Sequence, residues 1–346
     1  MKQLGLRRFV LLMLATALVF WCAVIVLPHD KYLRYESLND HVAPNAYWIY
    51  QRIHSDQTPI DVAFVGSSRT GRSVNTARLQ NDLAGQGVKA HAVNFHIVKT
   101  GRDMQYVIAK ELLTHRKVKL LVVEMTELED RKSHRDFIFL ADAMDVIRAP
   151  IFINLSYFAD IARLPGRQTD LFLETRLDSL GLRKPEFVPP PYQGSNLDWT
   201  EYLDTLDGKR HPLNVRHSRE QMEELRVEQE ADVTPPLLPE SLQEYEYKVP
   251  RHYIASILSL AKEQGTKVVF LYTPRYGGPA TPPPYDRLYS SVPLINPEPL
   301  LRDYRIWADA THLNREGSRI LTDFVAGELA RSGYLRDAPS SVSGSM

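Results

Sequence analysis

The sequence predicts an α/β protein, a three-layer α/β/α sandwich around a parallel sheet of about five strands, behind one N-terminal transmembrane helix. Three observations lead there. Short runs that are apolar throughout alternate with segments of helical spacing, the pattern of a parallel sheet covered on both faces. The 346 residues, 44% of them hydrophobic, suffice for one large domain with a well-buried core. The run at 9–27 (FVLLMLATALVFWCAVIVL) carries no charge across 19 residues, enough to cross a bilayer core as a helix.

The elements follow in chain order. Lys2, Arg7 and Arg8 precede the apolar run, and Pro28, His29 and Asp30 follow it. The positive-inside rule therefore leaves residues 1–7 in the cytoplasm, sets 8–27 in the inner (cytoplasmic) membrane and exports the remainder to the periplasm or beyond. Val24, Ile25, Val26 and Leu27 offer no small-x-small cleavage site, and Cys22 lies inside the apolar run behind bulky Trp21, so the run reads as an uncleaved anchor. Residues 28–57 read as an aromatic stalk that packs back on the domain. The domain spans 58–334, with strands over 60–65, 89–94, 118–125 and 267–272 and a last short one over 305–308. Helices are predicted over 76–84, 103–115, 251–264 and 315–330. The stretch at about 133–249 is too long for a plain crossover and reads as an insertion, with helices near 136–147, 151–163 and 216–230. Residues 335–346 read as a polar, Ser-rich, disordered tail.

Composition narrows the function. Lys+Arg and Asp+Glu number 42 each, which excludes a strongly basic nucleic-acid binder. Without Lys2, Arg7 and Arg8 the exported part holds 39 basic against 42 acidic residues, so nothing overall favours capture of a polyanion. One Cys excludes a disulfide framework, and the 11 His show no cluster of metal-ligand spacing. No metal and no cofactor are expected.

Two distant segments carry the chemistry. Gly66-Ser67-Ser68 directly follows the first strand, where ligands of open α/β sheets bind. Asp309-Ala310-Thr311-His312 directly precedes the final helix. A nucleophilic Ser needs a base in hydrogen-bond reach and a carboxylate to orient that base, and one tight loop can supply both. Both Ser67 and Ser68 follow Gly66, which leaves the nucleophile open between them; the Gly-x-Ser spacing favours Ser68. Glu124 ends the third strand, facing the same cleft, with Thr126 just beyond. Asn94, His96 and Gly101 lie after the second strand. Arg69 and Arg275 are candidates to hold an anionic or sugar group, and Tyr272, ending the fourth strand, to stack on a sugar ring. The run Gly66 to Ser73 also nearly spells a phosphate-binding loop, G-x-x-x-x-G-K-[ST], but Arg72 stands where its Lys belongs.

An early strand ending in Gly-x-Ser, with Asp-x-x-His before the last helix, resembles the SGNH (GDSL-like) hydrolase superfamily. With the anchor, the chain is similar to membrane-anchored polysaccharide O-acyltransferases of the teichoic-acid D-alanylation and alginate O-acetylation type. The resemblance covers roughly 58–130 and 250–333. It implies Ser68 as nucleophile, His312 as base and Asp309 as its orienting carboxylate. It also implies a polysaccharide acceptor and a multi-spanning membrane O-acyltransferase as partner. In the family a Gly after the second strand and an Asn after the third complete the oxyanion hole. Here His96 stands near the first position, with Gly101 beyond it, and Glu124-Met125-Thr126-Glu127 contains no Asn. The expectation is an exported serine acyltransferase, with Gly66, Ser67, Asn94, His96, Gly101, Glu124 and Thr126 around its cleft. An esterase with the same triad and a non-catalytic scaffold subunit are the alternatives.

Overall fold

The computed structural model describes residues 2–38, 45–99, 101–127, 131, 133–154, 156–182, 191–204, 210–231, 233, 236–283, 285 and 289–335. Most of the predicted C-terminal tail and the Pro-rich loop at 183–190 lie outside them. Among the described residues, seven strands form two sheets: β1 (Val62–Gly66), β2 (Ala92–His96), β3 (Leu120–Met125), β4 (Tyr202–Asp204), β5 (Arg210–Pro212), β6 (Lys267–Tyr272) and β7 (Leu294–Ile295). The main sheet has the order β2-β1-β3-β6-β7 and is parallel throughout; β4 and β5 pair as a small antiparallel hairpin.

The strands form where the apolar runs are. β1, β2 and β3 are buried at every position, so both faces of the sheet are covered. Their alternate residues feed two cores. Ala63, Val65, Val93, Phe95, Leu121, Val123 and Phe270 enter one core. Val62, Phe64, Ala92, Leu120, Val122, Val269 and Leu271 enter the other. The first core is closed by α3 (Ala46–His54), α6 (Arg102–His115) and α12 (Lys248–Glu263), the second by α5 (Thr76–Gly85) and α13 (Arg315–Ser332). The remaining helices are α1 (Lys2–Ile25), α2 (Tyr32–Glu36), α4 (Ser68–Ser73), α7 (Phe137–Leu140), α8 (Ala143–Arg148), α9 (Tyr157–Ser179), α10 (Arg219–Ala231) and α11 (Gln243–Glu246).

Within α1, Gly5–Ile25 is long and apolar enough to cross a membrane. Its C-terminal end is fastened to α9: the Gln168 side-chain amide donates to the Ile25 carbonyl at 2.9 Å, and just beyond it the Asp30 N–H donates to Thr175 Oγ1 at 2.9 Å. The segment after α1 enters the first core with Leu38, Trp48, Ile49 and Ile53, all essentially inaccessible. Each such side chain contributes about 1.5–3 kcal/mol relative to exposure, so α3 is bound into the domain.

Several predicted elements differ: the strand read at 89–94 lies at Ala92–His96, and the helix read near 136–147 is two, Phe137–Leu140 and Ala143–Arg148. The fifth strand is β7, at 294–295; residues 305–308 instead form a 3₁₀ turn over Tyr304–Ile306, followed by a single bridge from Trp307 to Leu313. Their apolar character reflects burial of Ile306 and Trp307, not sheet pairing. The helix read at 151–163 runs from Tyr157 to Ser179 and passes through Pro165, held there by buried Leu164, Gln168 and Leu171.

Candidate active site

All five main-sheet strands point the same way, so β1, β3 and β6 deliver their ends to one edge. At that edge the chain turns from β1 into α4 at Gly66-Ser67-Ser68. Gly66 is required by space: a Cβ there would stand 2.3 Å from Thr70 Oγ1 and 2.9 Å from Glu124 Cβ. Ser67 is the N-cap of α4, its Oγ accepting from the Arg69 N–H at 3.2 Å. Ser68 is the first helical residue.

The structure separates the two serines. Ser67 faces inward to Glu124, donating its N–H to Oε2 at 2.8 Å and its hydroxyl to Oε1 at 2.9 Å. Ser68 faces outward, and its Oγ lies 2.9 Å from His312 Nε2. His312 Nδ1 in turn lies 2.9 Å from both carboxylate oxygens of Asp309. The carboxylate can only accept, so Nδ1 carries the ring proton and Nε2 presents its lone pair to the Ser68 hydroxyl.

The loop that holds these two residues is fixed by its own bonds. Asp309 Oδ1 accepts from the N–H groups of Thr311 and His312 at 2.8 and 2.9 Å and from Thr311 Oγ1 at 3.0 Å. The Ala308 N–H donates to the His312 carbonyl at 2.9 Å, and Asn314 caps α13 through Glu316 and Gly317. Burial pushes the Asp309 carboxyl up, but the bond and charge of His312 and the two donations from Thr311 outweigh it and hold it well below the usual range. Burial pushes the His312 imidazole below its ordinary value, and the Asp309 bond and charge only partly restore it. At neutral pH His312 is thus a neutral base beside a hydroxyl, oriented by the ionised Asp309.

Glu124 is the hub beneath Ser67 and Ser68 rather than a wall of the cleft. It is 1% exposed, and besides Ser67 its Oε1 accepts from the Thr70 N–H at 3.1 Å, Thr70 Oγ1 at 2.8 Å and Thr273 Oγ1 at 3.0 Å. These bonds consume the N–H groups of Ser67 and Thr70, while Ser67 Oγ takes that of Arg69. Among the described residues no acceptor meets the Ser68 N–H, which leaves it for an oxyanion. The same commitments remove the phosphate-binding-loop reading, since that loop needs its backbone N–H groups free.

Several predicted site residues have other tasks. The Asn94 side-chain amide donates to the carbonyls of Thr70 and Val74 at 3.0 and 3.2 Å, tying down the end of α4, and offers nothing to an oxyanion. His96 is buried with its ring edge-on to Trp199 and against Gly71, whose added Cβ would stand 2.4 Å from it; burial pushes its pKa down to about 4. Gly101 is the N-cap of α6, closely faced by Asp103 and His134, and Thr126 is buried beyond β3. Tyr272 is fully buried, its hydroxyl donating to the Pro279 carbonyl at 2.8 Å, so no face remains to stack on a sugar. Arg69 grips Glu127 with bonds of 2.8 and 3.0 Å and the Thr273 carbonyl at 3.1 Å, and is committed to the fold. Arg275 stands 3.8 Å from Glu127 and from Glu230. Arg102 is buried and donates to the Glu124 main-chain carbonyl and to Gln105.

Other residues were not singled out as part of the site from the sequence. Glu127 is buried between two arginines. Arg72 stands 3.7 Å from Asp309 Oδ2. His217 and Trp199 reach the site from the insertion, His217 through the Ala308 carbonyl at 2.8 Å. Their sequence separations leave no local signal. Folding also assembles a group of potential metal ligands that spacing did not show: ligand atoms of His54, Glu111 and His115 lie within 4.8 Å of one another. Glu111 there already faces the Lys31 ammonium at 3.3 Å.

No family model matches the chain, and no curated protein matches it significantly. The function therefore rests on the site itself.

Proposed function

We propose that the protein is an exported, membrane-anchored serine acyltransferase, which moves an acyl group, acetyl in the first instance, onto a hydroxyl of an envelope polysaccharide. One observation carries this reading: Ser68 Oγ, His312 and Asp309 form an unbroken hydrogen-bonded relay with 2.9 Å links. In the first half-reaction Ser68 Oγ attacks the donor's acyl carbonyl while His312 Nε2 takes its proton. The new C–O bond forms as the donor's leaving group departs, taking that proton from His312. The Ser68 N–H faces the developing oxyanion. In the second half, His312 takes the proton of a sugar hydroxyl, whose oxygen attacks the acyl-serine and restores Ser68. Asp309 holds the ring and stabilises the imidazolium in both halves.

The three-layer, SGNH-like arrangement belongs to the same proposal, and two covered sheet faces support it. The apolar helix α1 supports an inner-membrane location with the domain outside, where a multi-spanning partner would hand over the acyl group.

The test is intact-protein mass spectrometry of the full chain in detergent after incubation with p-nitrophenyl acetate. An acetyl adduct mapped to Ser68, absent in Ser68→Ala and slow to form in His312→Ala, is the expected result. Ester turnover without transfer to any sugar would move the assignment to an esterase. No adduct and no turnover in any variant would leave a scaffold.

A further inference from the structure

Arg72 lies one helical turn after Ser68 on α4, so the two side chains share a face of that helix. Its side chain is 17% exposed, and its guanidinium lies 3.7 Å from Asp309 Oδ2, beyond hydrogen-bond reach. Among the described residues it donates no hydrogen bond. Two neighbouring arginines differ: Arg69 is held by both carboxylate oxygens of Glu127, and Arg102 by carbonyl and amide oxygens. A partly exposed guanidinium whose fork no protein acceptor fills can take an anionic ligand. Asp309 cannot be that ligand, because its oxygens are turned to His312 and Thr311. The positive field of Arg72 reaches His312 and His96, lowering the proton affinity of both, which places the charge over the reacting centre.

We propose that Arg72 is the anion receptor of the acyl-transfer site, binding a carboxylate or phosphate group on a substrate whose reacting atom meets Ser68. The inference rests on the acyltransferase reading and narrows it to anionic substrates. The exported part has a small negative net charge, so the selection is local to the fork and not a property of the whole surface. A guanidinium matches a carboxylate or phosphate with two parallel N–H···O bonds, which a Lys ammonium cannot reproduce. The anion has two possible sources, the acceptor chain or the acyl donor.

Full-length protein in detergent is acylated with neutral p-nitrophenyl acetate and then offered a uronic-acid hexamer, a glycerol-phosphate oligomer or a neutral glucan hexamer. A second arm compares p-nitrophenyl acetate with the anionic p-nitrophenyl hemisuccinate as donors. The expected result is a preference of about tenfold or more for the charged member in one arm, which names the source. Arg72→Gln should bring that ratio close to one, and Arg72→Lys should restore it in part. Equal use of charged and neutral compounds in both arms by the wild type would overturn the proposal. So would an Arg72→Gln enzyme slowed equally on both, since Arg72 would then only support Asp309. Equilibrium binding of the same charged probes, and of hemisuccinate itself, separates this from the enzyme reading. Binding that is salt-sensitive and lost in Arg72→Gln sustains the anion site even when no ester acylates Ser68. If no charged probe binds and no ester acylates Ser68, both fail.

Discussion

Glu124→Gln is the sharpest test of how the nucleophile is seated. The substitution keeps size and shape and changes one oxygen to an NH₂ group. Among the described residues Oε1 accepts four bonds, from Ser67 Oγ, the Thr70 N–H, Thr70 Oγ1 and Thr273 Oγ1, and Oε2 accepts one, from the Ser67 N–H. The amide oxygen must take the Oε1 place, where most donors converge. The NH₂ group then faces the buried Ser67 N–H, so one charge-assisted bond is lost and two donors oppose each other. Losing such a bond and leaving a buried donor unpaired costs about 2–4 kcal/mol. For a domain of this size that corresponds to a fall of roughly 5–10 °C in melting temperature. The opposed N–H groups sit at the first residue before α4, so relief moves Ser68 relative to His312. A misplacement of the order of 1 Å costs about a hundredfold in rate. The assay is the rate of acetyl-adduct formation by mass spectrometry beside a thermal melt, with the pH midpoint of acylation as control. That midpoint belongs to His312 and should stay. A Glu124→Gln protein that melts within 1 °C of wild type would refute the energetic argument. One that melts lower but acylates at the wild-type rate would refute the link from Glu124 to the nucleophile.

Three further outcomes follow from the same geometry. Ser67→Ala removes the cap acceptor for Arg69 and one donor to Glu124, so it should lower stability by about 1–2 kcal/mol while the adduct still forms on Ser68; an adduct lost in Ser67→Ala and kept in Ser68→Ala would reverse the assignment. Acylation requires neutral His312, whose pKa is depressed by burial, so the rate should rise with pH to a midpoint below 6.5 and then level off; Asp309→Asn, which frees the ring tautomer and removes the influences that raise that pKa, should lower both the midpoint and, by roughly a thousandfold, the plateau. His96 falls from 6.5 to about 4 on folding, so as pH drops the unfolded chain takes up the proton first. Stability should therefore be full above pH 6.5 and decline by about 3 kcal/mol down to pH 4, a loss that urea titrations should show diminished in His96→Gln.

The sheet was legible because β1, β2, β3 and β6 are runs of β-branched and apolar residues whose burial is complete or nearly so. β7 was not, because a two-residue pairing beside Pro293 has no period to read. Ile306 and Trp307 misled for the opposite reason: apolar residues in a buried turn imitate a strand. Pro165 suggested a helix end, but tertiary burial on either side carried α9 through it. In the site, Gly-x-Ser and Asp-x-x-His could be found because each is local. The choice between Ser67 and Ser68 could not, since it depends on which residue caps α4 and which begins it. Glu124 could be placed at the cleft, but not as the hub it is, and nothing local marks Glu127 as buried. Their partners come from other strand ends, Thr70 and Thr273 lying 54 and 149 residues away from Glu124, so only the parallel topology reveals that they converge.

The anion hole decides between transfer and hydrolysis. The Ser68 N–H is free, but Asn94 is spent on α4, and Gly101 is enclosed by Asp103 and His134. One oxyanion donor is worth about 3–4 kcal/mol of transition-state stabilisation, so a site with a single backbone donor, as seen among the described residues, forms and discharges its acyl-enzyme slowly. Slow discharge penalises water fully, because water gains nothing from being bound. A sugar hydroxyl held beside the acyl-serine gains from proximity, which can amount to about 10⁵ M in effective concentration. A lean hole therefore favours a bound acceptor over hydrolysis. Under the proposed reaction the acetyl adduct on Ser68 should persist for minutes in buffer and disappear on addition of the accepted oligosaccharide, with the lost mass recovered as sugar ester. An adduct that forms and clears within seconds in water alone would show that the site stabilises hydrolysis as well as acylation. The protein would then be an esterase with the same triad.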